Sequence, residues 1–133
     1  MDEDFLEKLK NDYPDLHFKA GKKFMYRPPK TIVLVSSEPF SELLTLHEVS
    51  HAICKHKSFT MDVERLKMEN EAWEKARELA VFYGIEVNED LIQDELDTYR
   101  DWLHKKSRCP ICGLTRFQTP DSLYHCPQCE EFS

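Results

Sequence analysis

Two histidines and a glutamate form a group in this sequence that could bind a metal ion and take part in catalysis. His47 and His51 are four residues apart, with Glu48 directly after the first. On a helix, this spacing puts both imidazoles on one face about one turn apart, where they can bind the same ion. Zinc accepts neutral imidazole nitrogens, and a catalytic zinc has three protein ligands and a water. Glu48 would lie beside the metal, where its carboxylate can take a proton from that water.

The residues around these histidines predict that the helix is packed against the rest of the protein. The alternative is a pair of surface histidines on an ordinary helix, because a five-residue pattern can arise by chance. Polar groups in apolar surroundings are costly unless they are compensated, however, and this favours metal binding. The apolar neighbours are Leu43, Leu44, Leu46, Val49, Ala52 and Ile53.

A third ligand is needed, and the sequence offers more than one. On a continuing helix, His56 would point about 140° away from His51, so we expect it to lie away from the metal. The next predicted helix carries Glu69 within its apolar stripe and Glu71 on its polar side. A carboxylate on a buried face needs a cation or strong donors. Glu69 is therefore the predicted ligand, with Glu71 its rival. An ion pair between Glu69 and Arg65 or a lysine is the alternative role.

Two Cys-x-x-Cys pairs, with thirteen residues between them, predict a second metal site. Pairs at this spacing are typical of a four-thiolate zinc ribbon. Four thiolates complete the coordination of zinc, so this ion would be structural and would supply folding energy to a segment with little core. The four residues are Cys109, Cys112, Cys126 and Cys129.

The elements that must position these groups can be predicted from periodicity and turn signals. The predicted class is α+β, with a small antiparallel sheet of about three strands packed on three main helices and a small zinc-ribbon appendage. We divide the chain into a metallopeptidase-like domain, residues 1–104, and a four-cysteine zinc ribbon, residues 105–133. The predicted helices cover about 3–12, 39–56, 62–83 and 88–105, and the predicted strands 16–19, 23–27 and 31–35.

Composition and charge limit the partners. The net charge is −7, and residues 62–104 hold thirteen acidic and five basic side chains. This balance disfavours broad contact with nucleic acid, which relies on Lys and Arg, although a small contact through the ribbon stays open. The apolar run at residues 32–35 is too short to span a membrane, and the acidic N-terminus has no apolar signal region. We expect a cytoplasmic protein with no membrane partner; its oligomeric state is not set by these features.

The His-Glu-x-x-His pattern, followed by residues 69–76 reading Glu-Asn-Glu-Ala-Trp-Glu-Lys-Ala, resembles the gluzincin zinc metallopeptidases. The likeness is greatest to their small members, the minigluzincins and the ImmA/IrrE-type proteins, and it covers about residues 1–104. The resemblance implies hydrolysis of peptide bonds, with Glu48 as general base. It also implies Glu69, the first residue of a Glu-x-x-Ala motif, as third ligand. Related proteins often have Asp or Asn at position 73, where this chain has Trp.

The resemblance also implies a strand that binds the substrate. In similar proteins the strand before the active helix lies at the rim of the sheet and pairs with extended substrate, because main-chain hydrogen bonds form whatever the substrate sequence. In this chain that strand would comprise Thr31, Ile32, Val33, Leu34 and Val35.

Three interpretations of function remain open. The favoured one is a zinc metalloendopeptidase that acts on a protein or peptide substrate, has two zinc ions, and is either active or held latent for a regulatory purpose. The first alternative is a catalytically silent, metal-binding regulator or adaptor. The second is a SprT-like protease of DNA–protein crosslinks, which also pairs this motif with a zinc ribbon but uses a third histidine.

Overall fold

The computed structural model describes residues 1–129, and over these residues the chain forms four helices and two small sheets. This confirms the predicted α+β class. The last four residues of the predicted ribbon, 130–133, lie outside the described residues. In chain order the elements are α1 (Glu3–Asp12), β1 (His17–Ala20), β2 (Met25–Arg27), β3 (Thr31–Leu34), α2 (Ser41–Ile53), α3 (Asp62–Tyr83), α4 (Glu89–Ser107), β4 (Phe117–Gln118) and β5 (Tyr124–His125).

The larger sheet is mixed, so the prediction of an antiparallel sheet was wrong. Its strand order is β1-β3-β2, with β1 parallel and β2 antiparallel to β3. The physical reason is the burial of β3, whose residues Ile32, Val33 and Leu34 are all buried. Side chains that are buried on both faces of a strand favour a central place, whereas β1 and β2 are mostly exposed and form the edges.

The chain divides into two compact units. The first comprises Met1–Lys57 and Glu71–Asn88, and the second comprises Ser58–Asn70 with the chain from Glu89 onward. Helix α3 thus contributes residues to both units. The division at residue 104 that the sequence suggested remains a prediction. No helix among the described residues combines the length and apolar character that crossing a bilayer requires.

The core of the first unit forms where the sheet, α1, α2 and the later part of α3 bury their apolar side chains. Gly21 lies so close to β3 that a Cβ atom there would overlap the side chain of Val33. The hydroxyl groups of Thr45 and Ser50 on α2 donate to carbonyls four residues earlier, which satisfies two buried polar groups. The largest fully buried side chains of this unit are Trp73, Leu9, Ile32, Leu43, Leu46 and Val49.

The second unit combines the start of α3, the whole of α4 and the cysteine-containing segment. Ile92 and Leu96 of α4 are buried. The guanidinium of Arg65 lies over the rings of Tyr99 and Trp102, each 5.0 Å from its centre. Such stacking lets an arginine contribute to packing as well as to charge.

Candidate metal centres

The four cysteines of the second unit meet at one point. Their Sγ atoms all lie within 4.8 Å of one another, and those of Cys112 and Cys126 are 3.4 Å apart. All four are free thiols, not disulfides. Zn–S bonds of about 2.3 Å in a tetrahedron separate the sulfurs by roughly 3.8 Å. The cluster therefore fits one tetrahedral thiolate-bound ion.

Backbone groups prepare Cys109 for this role. The amide of Gly113, whose φ is +77°, donates to the Cys109 carbonyl at 3.0 Å and closes a tight turn around the first cysteine pair. Hydrogen bonds from the backbone of Cys112 and Ile111 lower the pKa of the Cys109 thiol to about 6. Burial, together with the neighbouring sulfurs, raises the pKa of Cys129 to about 12. Packed sulfurs resist joint ionisation, and a divalent cation at their centre would remove this penalty.

Asp62 at the start of α3 is the main polar contact of the cysteine-containing segment. It is 4% exposed. Its carboxylate accepts a 2.6 Å hydrogen bond from the hydroxyl of Tyr124 and lies 3.1 Å from the ammonium of Lys106. The backbone amide of Asp62 donates a hydrogen bond to the side-chain oxygen of Gln118. The segment is thus attached to the first turn of α3 within the second unit.

Within residues 1–129, the first unit contains the other group that could hold a metal. The candidate ligand atoms of His47, Glu48 and His51 all lie within 4.8 Å of one another, as the helical spacing predicted. The residues His47 and His51 are 6% and 9% exposed. The Glu48 carboxylate lies 3.7 Å from Nδ1 of His47. Two imidazoles at this spacing fit one ion, with the carboxylate beside it.

Aromatic rings hold both imidazoles in place. The ring of Trp73 stacks on His47 with 4.0 Å between centroids and 4° between planes. The ring of Tyr26 lies parallel to His51 at 6.4 Å. Trp73 is fully buried, and its Nε1 has no hydrogen-bond partner among the described residues. Trp73 therefore supports His47 by stacking, at the position where the resemblance implied a polar residue.

His56 does not lie where the sequence analysis placed it. Helix α2 ends at Ile53, and Lys55 has φ +58°. The amide of His56 donates to the carbonyl of His51, and that of Lys55 to the carbonyl of Ala52, which is the pattern of a Schellman turn. This turn folds His56 back, so that its Nδ1 lies 2.9 Å from Nδ1 of His51. The prediction was wrong because it assumed that the helix continued.

The two candidate third ligands have different surroundings. Glu69 is 8% exposed, in agreement with its place in the apolar stripe. In the second unit, Tyr99 lies close enough to Glu69 and Arg65 to interact with both. Burial, with the charge of Glu69, raises the pKa of Tyr99 to about 12, while Arg65 opposes the rise. In the first unit, Oε2 of Glu71 lies 3.1 Å from Nε2 of His56. Whether either carboxylate binds a metal remains a prediction.

The strand that was predicted to bind the substrate cannot do so along its edges. Thr31, Ile32, Val33 and Leu34 form β3, which pairs with β1 on one side and with β2 on the other. Val35 follows the end of the strand. Among residues 1–129, no strand pairs with the outer edge of β2, and Tyr26 of β2 stacks on His51. The open sheet edge next to the histidine group is therefore that of β2.

A cavity of about 400 Å³ lies next to Tyr26 in the first unit. Apolar groups form most of its wall, including Leu16, Pro28 and Ala52. Lys30, Lys55 and Lys57 also line it, and Asp15 is its one acidic residue. The lysines make no ion pair within the described residues.

Three residues that support the histidines were missed as such by the sequence analysis: Trp73, Tyr26 and His56. The apolar stripe of α3 predicted that Trp73 would be buried, but not what its ring would contact. Comparison with known protein families, with curated proteins and with solved structures finds no match to this chain.

Proposed function

We propose that this chain is a zinc-dependent metallopeptidase that hydrolyses peptide bonds of a protein or peptide substrate. The observation that carries the proposal is the group on α2. Two nearly buried imidazoles and one carboxylate come within 4.8 Å of one another, and each imidazole is stacked against an aromatic ring. Ligands that are held in place before the metal binds favour a defined coordination geometry.

Each residue of the group has a proposed role. His47 and His51 bind the ion, which supplies Lewis-acid polarisation of the substrate carbonyl and lowers the pKa of a water. Glu48 takes a proton from the attacking water as the new C–O bond forms. It then donates this proton to the amine nitrogen as the C–N bond breaks, so the carboxylate ends the cycle ionised as it began.

Glu69 is our proposed third ligand, on the basis of helix register and burial. Glu69 is nearly buried, at 8% exposure, and a zinc ligand set of two histidines and one glutamate is common in hydrolases. The Glu69→Gln variant should bind one zinc per chain where the native chain binds two. Glu71→Gln should still bind two, although the second ion is held more weakly. The reverse result would assign the ligand to Glu71.

We propose that extended substrate pairs with the outer edge of β2, replacing the earlier assignment to β3. This edge is open among the described residues, and Tyr26 of the same strand stacks on His51. The cavity beside Tyr26 would then receive a substrate side chain. Because three lysines and one aspartate line a mostly apolar wall, a side chain with an apolar stem and an acidic end, such as glutamate, is the expected preference.

The cysteine cluster is proposed to hold a second, structural zinc. Four thiolates leave no open coordination position, so this ion would not take part in hydrolysis. Its segment binds Asp62 at the start of α3 through Tyr124 and Gln118. These contacts support a stabilising role for the ribbon.

Cleavage by matched variants tests the proposal. Denatured casein and a mixed peptide library are incubated with the zinc-loaded native chain, with Glu48→Gln, and with Glu38→Gln as a control for charge at an exposed site. A general base typically raises the reaction rate by about 10²–10⁴-fold. The cleavage rate of Glu48→Gln should therefore be at least about 100-fold lower than that of the native chain, while both zinc ions stay bound. Glu38→Gln should cleave normally. Two bound zinc ions without cleavage by the native chain would contradict the peptidase and favour the adaptor.

A further inference from the structure

Contacts within hydrogen-bond distance link the side chain of His51, the proposed metal ligand, through His56 to Glu71 at the protein surface. Nδ1 of His51 lies 2.9 Å from Nδ1 of His56, and Nε2 of His56 lies 3.1 Å from Oε2 of Glu71. The side chain of His56 is 9% exposed, whereas that of Glu71 is 45% exposed. A nearly buried imidazole therefore links a second imidazole to a half-exposed carboxylate.

Nearby charges leave Glu71 available for this contact. Lys75 lies one turn after Glu71 on α3, at the spacing where a glutamate–lysine pair commonly forms. The ammonium of Lys75 is instead 3.3 Å from the carboxylate of Glu78. The carboxylate of Glu71 is directed to His56, which the Schellman turn after α2 has folded back.

The chemistry of these groups determines where the protons lie. An ionised carboxylate only accepts hydrogen bonds, so Nε2 of His56 must carry the hydrogen that it donates to Glu71. When His56 is neutral, its ring has one donor and one acceptor, and Nδ1 of His56 is then the acceptor. In that state Nδ1 of His51 is the donor, and Nε2 carries the lone pair of the neutral ring.

We propose that His56 and Glu71 are positioning residues that hold His51 in its Nδ1–H tautomer and so present Nε2 to the metal. This inference rests on the proposed function, since it takes His51 to be a metal ligand. In this role both residues would act on the metal through His51. Hydrogen bonds of this kind orient the ligand ring and make its free nitrogen more basic, and their loss typically lowers metal affinity by about 10–100-fold.

Metal affinity is the first test. Glu71→Ala and His56→Phe each break the chain of hydrogen bonds, and Glu74→Ala removes the same charge from an exposed position one turn away. Zinc is titrated in competition with a chelator, and the cysteine cluster serves as an internal reference for folding. We expect the affinity of the histidine site to fall by about 10–100-fold in the first two variants, and by less in Glu71→Gln, which keeps an acceptor oxygen. Glu74→Ala should bind as the native chain does.

The tautomer of His51 is the second test, and it needs neither metal nor activity. Two-bond ¹⁵N–¹H correlation spectra of the metal-free protein distinguish Nδ1–H from Nε2–H imidazole. We expect Nδ1–H for His51 in the native chain and in Glu74→Ala, and a shift toward Nε2–H in Glu71→Ala and His56→Phe. An unchanged tautomer in both of the latter variants would overturn the inference.

The two tests separate this inference from the proposed function. If the native histidine site binds no zinc while His51 shows the expected tautomer change, the proposed metal site is refuted and the proposed hydrogen bonds from His51 to Glu71 are supported. If the site binds zinc with unchanged affinity in Glu71→Ala and His56→Phe, the positioning role fails and the metal site stands.

Discussion

The hydrogen bond between Tyr124 and Asp62 should contribute measurably to stability. The Tyr124 hydroxyl donates to Oδ2 of Asp62 at 2.6 Å, and Asp62 is 4% exposed. Burial raises the pKa of Tyr124 to about 12, so its hydroxyl remains a donor at neutral pH. Tyr124→Phe removes the donor but keeps the ring that Arg116 covers at 4.9 Å. A hydrogen bond to a charged group contributes about 1.5–3 kcal/mol, and we expect the free energy of unfolding to fall by that amount.

Lys106 provides the comparison, because it contacts the same carboxylate while being half exposed. Its ammonium lies 3.1 Å from Oδ2 of Asp62, and its side chain is 49% exposed. Exposed ion pairs contribute about 0.2–1 kcal/mol, so Lys106→Met should cost less than Tyr124→Phe. Urea unfolding of the zinc-loaded chain, followed by far-UV circular dichroism, measures both. Equal costs, or no coupling between Tyr124→Phe and Asp62→Asn in a double-mutant cycle, would refute the reasoning.

Three further predictions concern the two metal centres. Trp73→Ala should lower the free energy of unfolding by about 3–5 kcal/mol. Trp73→Phe, which keeps a ring against His47, should cost less than half as much in a thermal or urea melt. Because Lys55 has φ +58°, Lys55→Gly should be neutral or stabilise the chain by up to about 1 kcal/mol, whereas Lys55→Val should destabilise it in the same melts. In the metal-free chain, Cys109 has a pKa of about 6. A backbone hydrogen bond from Leu114 lowers the pKa of Cys112, but burial and the thiols of Cys126 and Cys109 outweigh it and raise that pKa. Iodoacetamide at pH 7 should therefore alkylate Cys109 before Cys112 in peptide mapping. The stabilisation from the Cys109 thiolate is present above about pH 9 and is lost as the pH falls through about 6.

Local patterns in the sequence were sufficient to predict most of the helices and the cysteine cluster. The spacing of His47 and His51, and the spacing within each cysteine pair, is set by one helix turn or one tight turn, so short-range geometry brings those atoms together. The two cysteine pairs flank the antiparallel strands β4 and β5. Helix α3 was predicted with its observed bounds, because Asp62 and Gly84 mark its limits in the sequence.

Features that depend on distant parts of the chain were not predictable in this way. The mixed sheet arises because β3 takes the central place, and this depends on which strands can be left exposed. His56 is folded back toward His51 because Lys55 has a left-handed backbone conformation. This conformation is unusual for lysine, and the sequence has no glycine at this position that would have predicted it. The stack of Trp73 on His47 joins two helices, and helix phase alone does not determine such a contact.

The central claim, that His47 and His51 bind a metal ion separate from the one held by the cysteines, can be tested by counting zinc on the intact chain. Native mass spectrometry of the zinc-loaded protein should show two ions on the native chain and one on His51→Asn. A single ion on both would mean that only the cysteine cluster binds zinc, and would contradict the account.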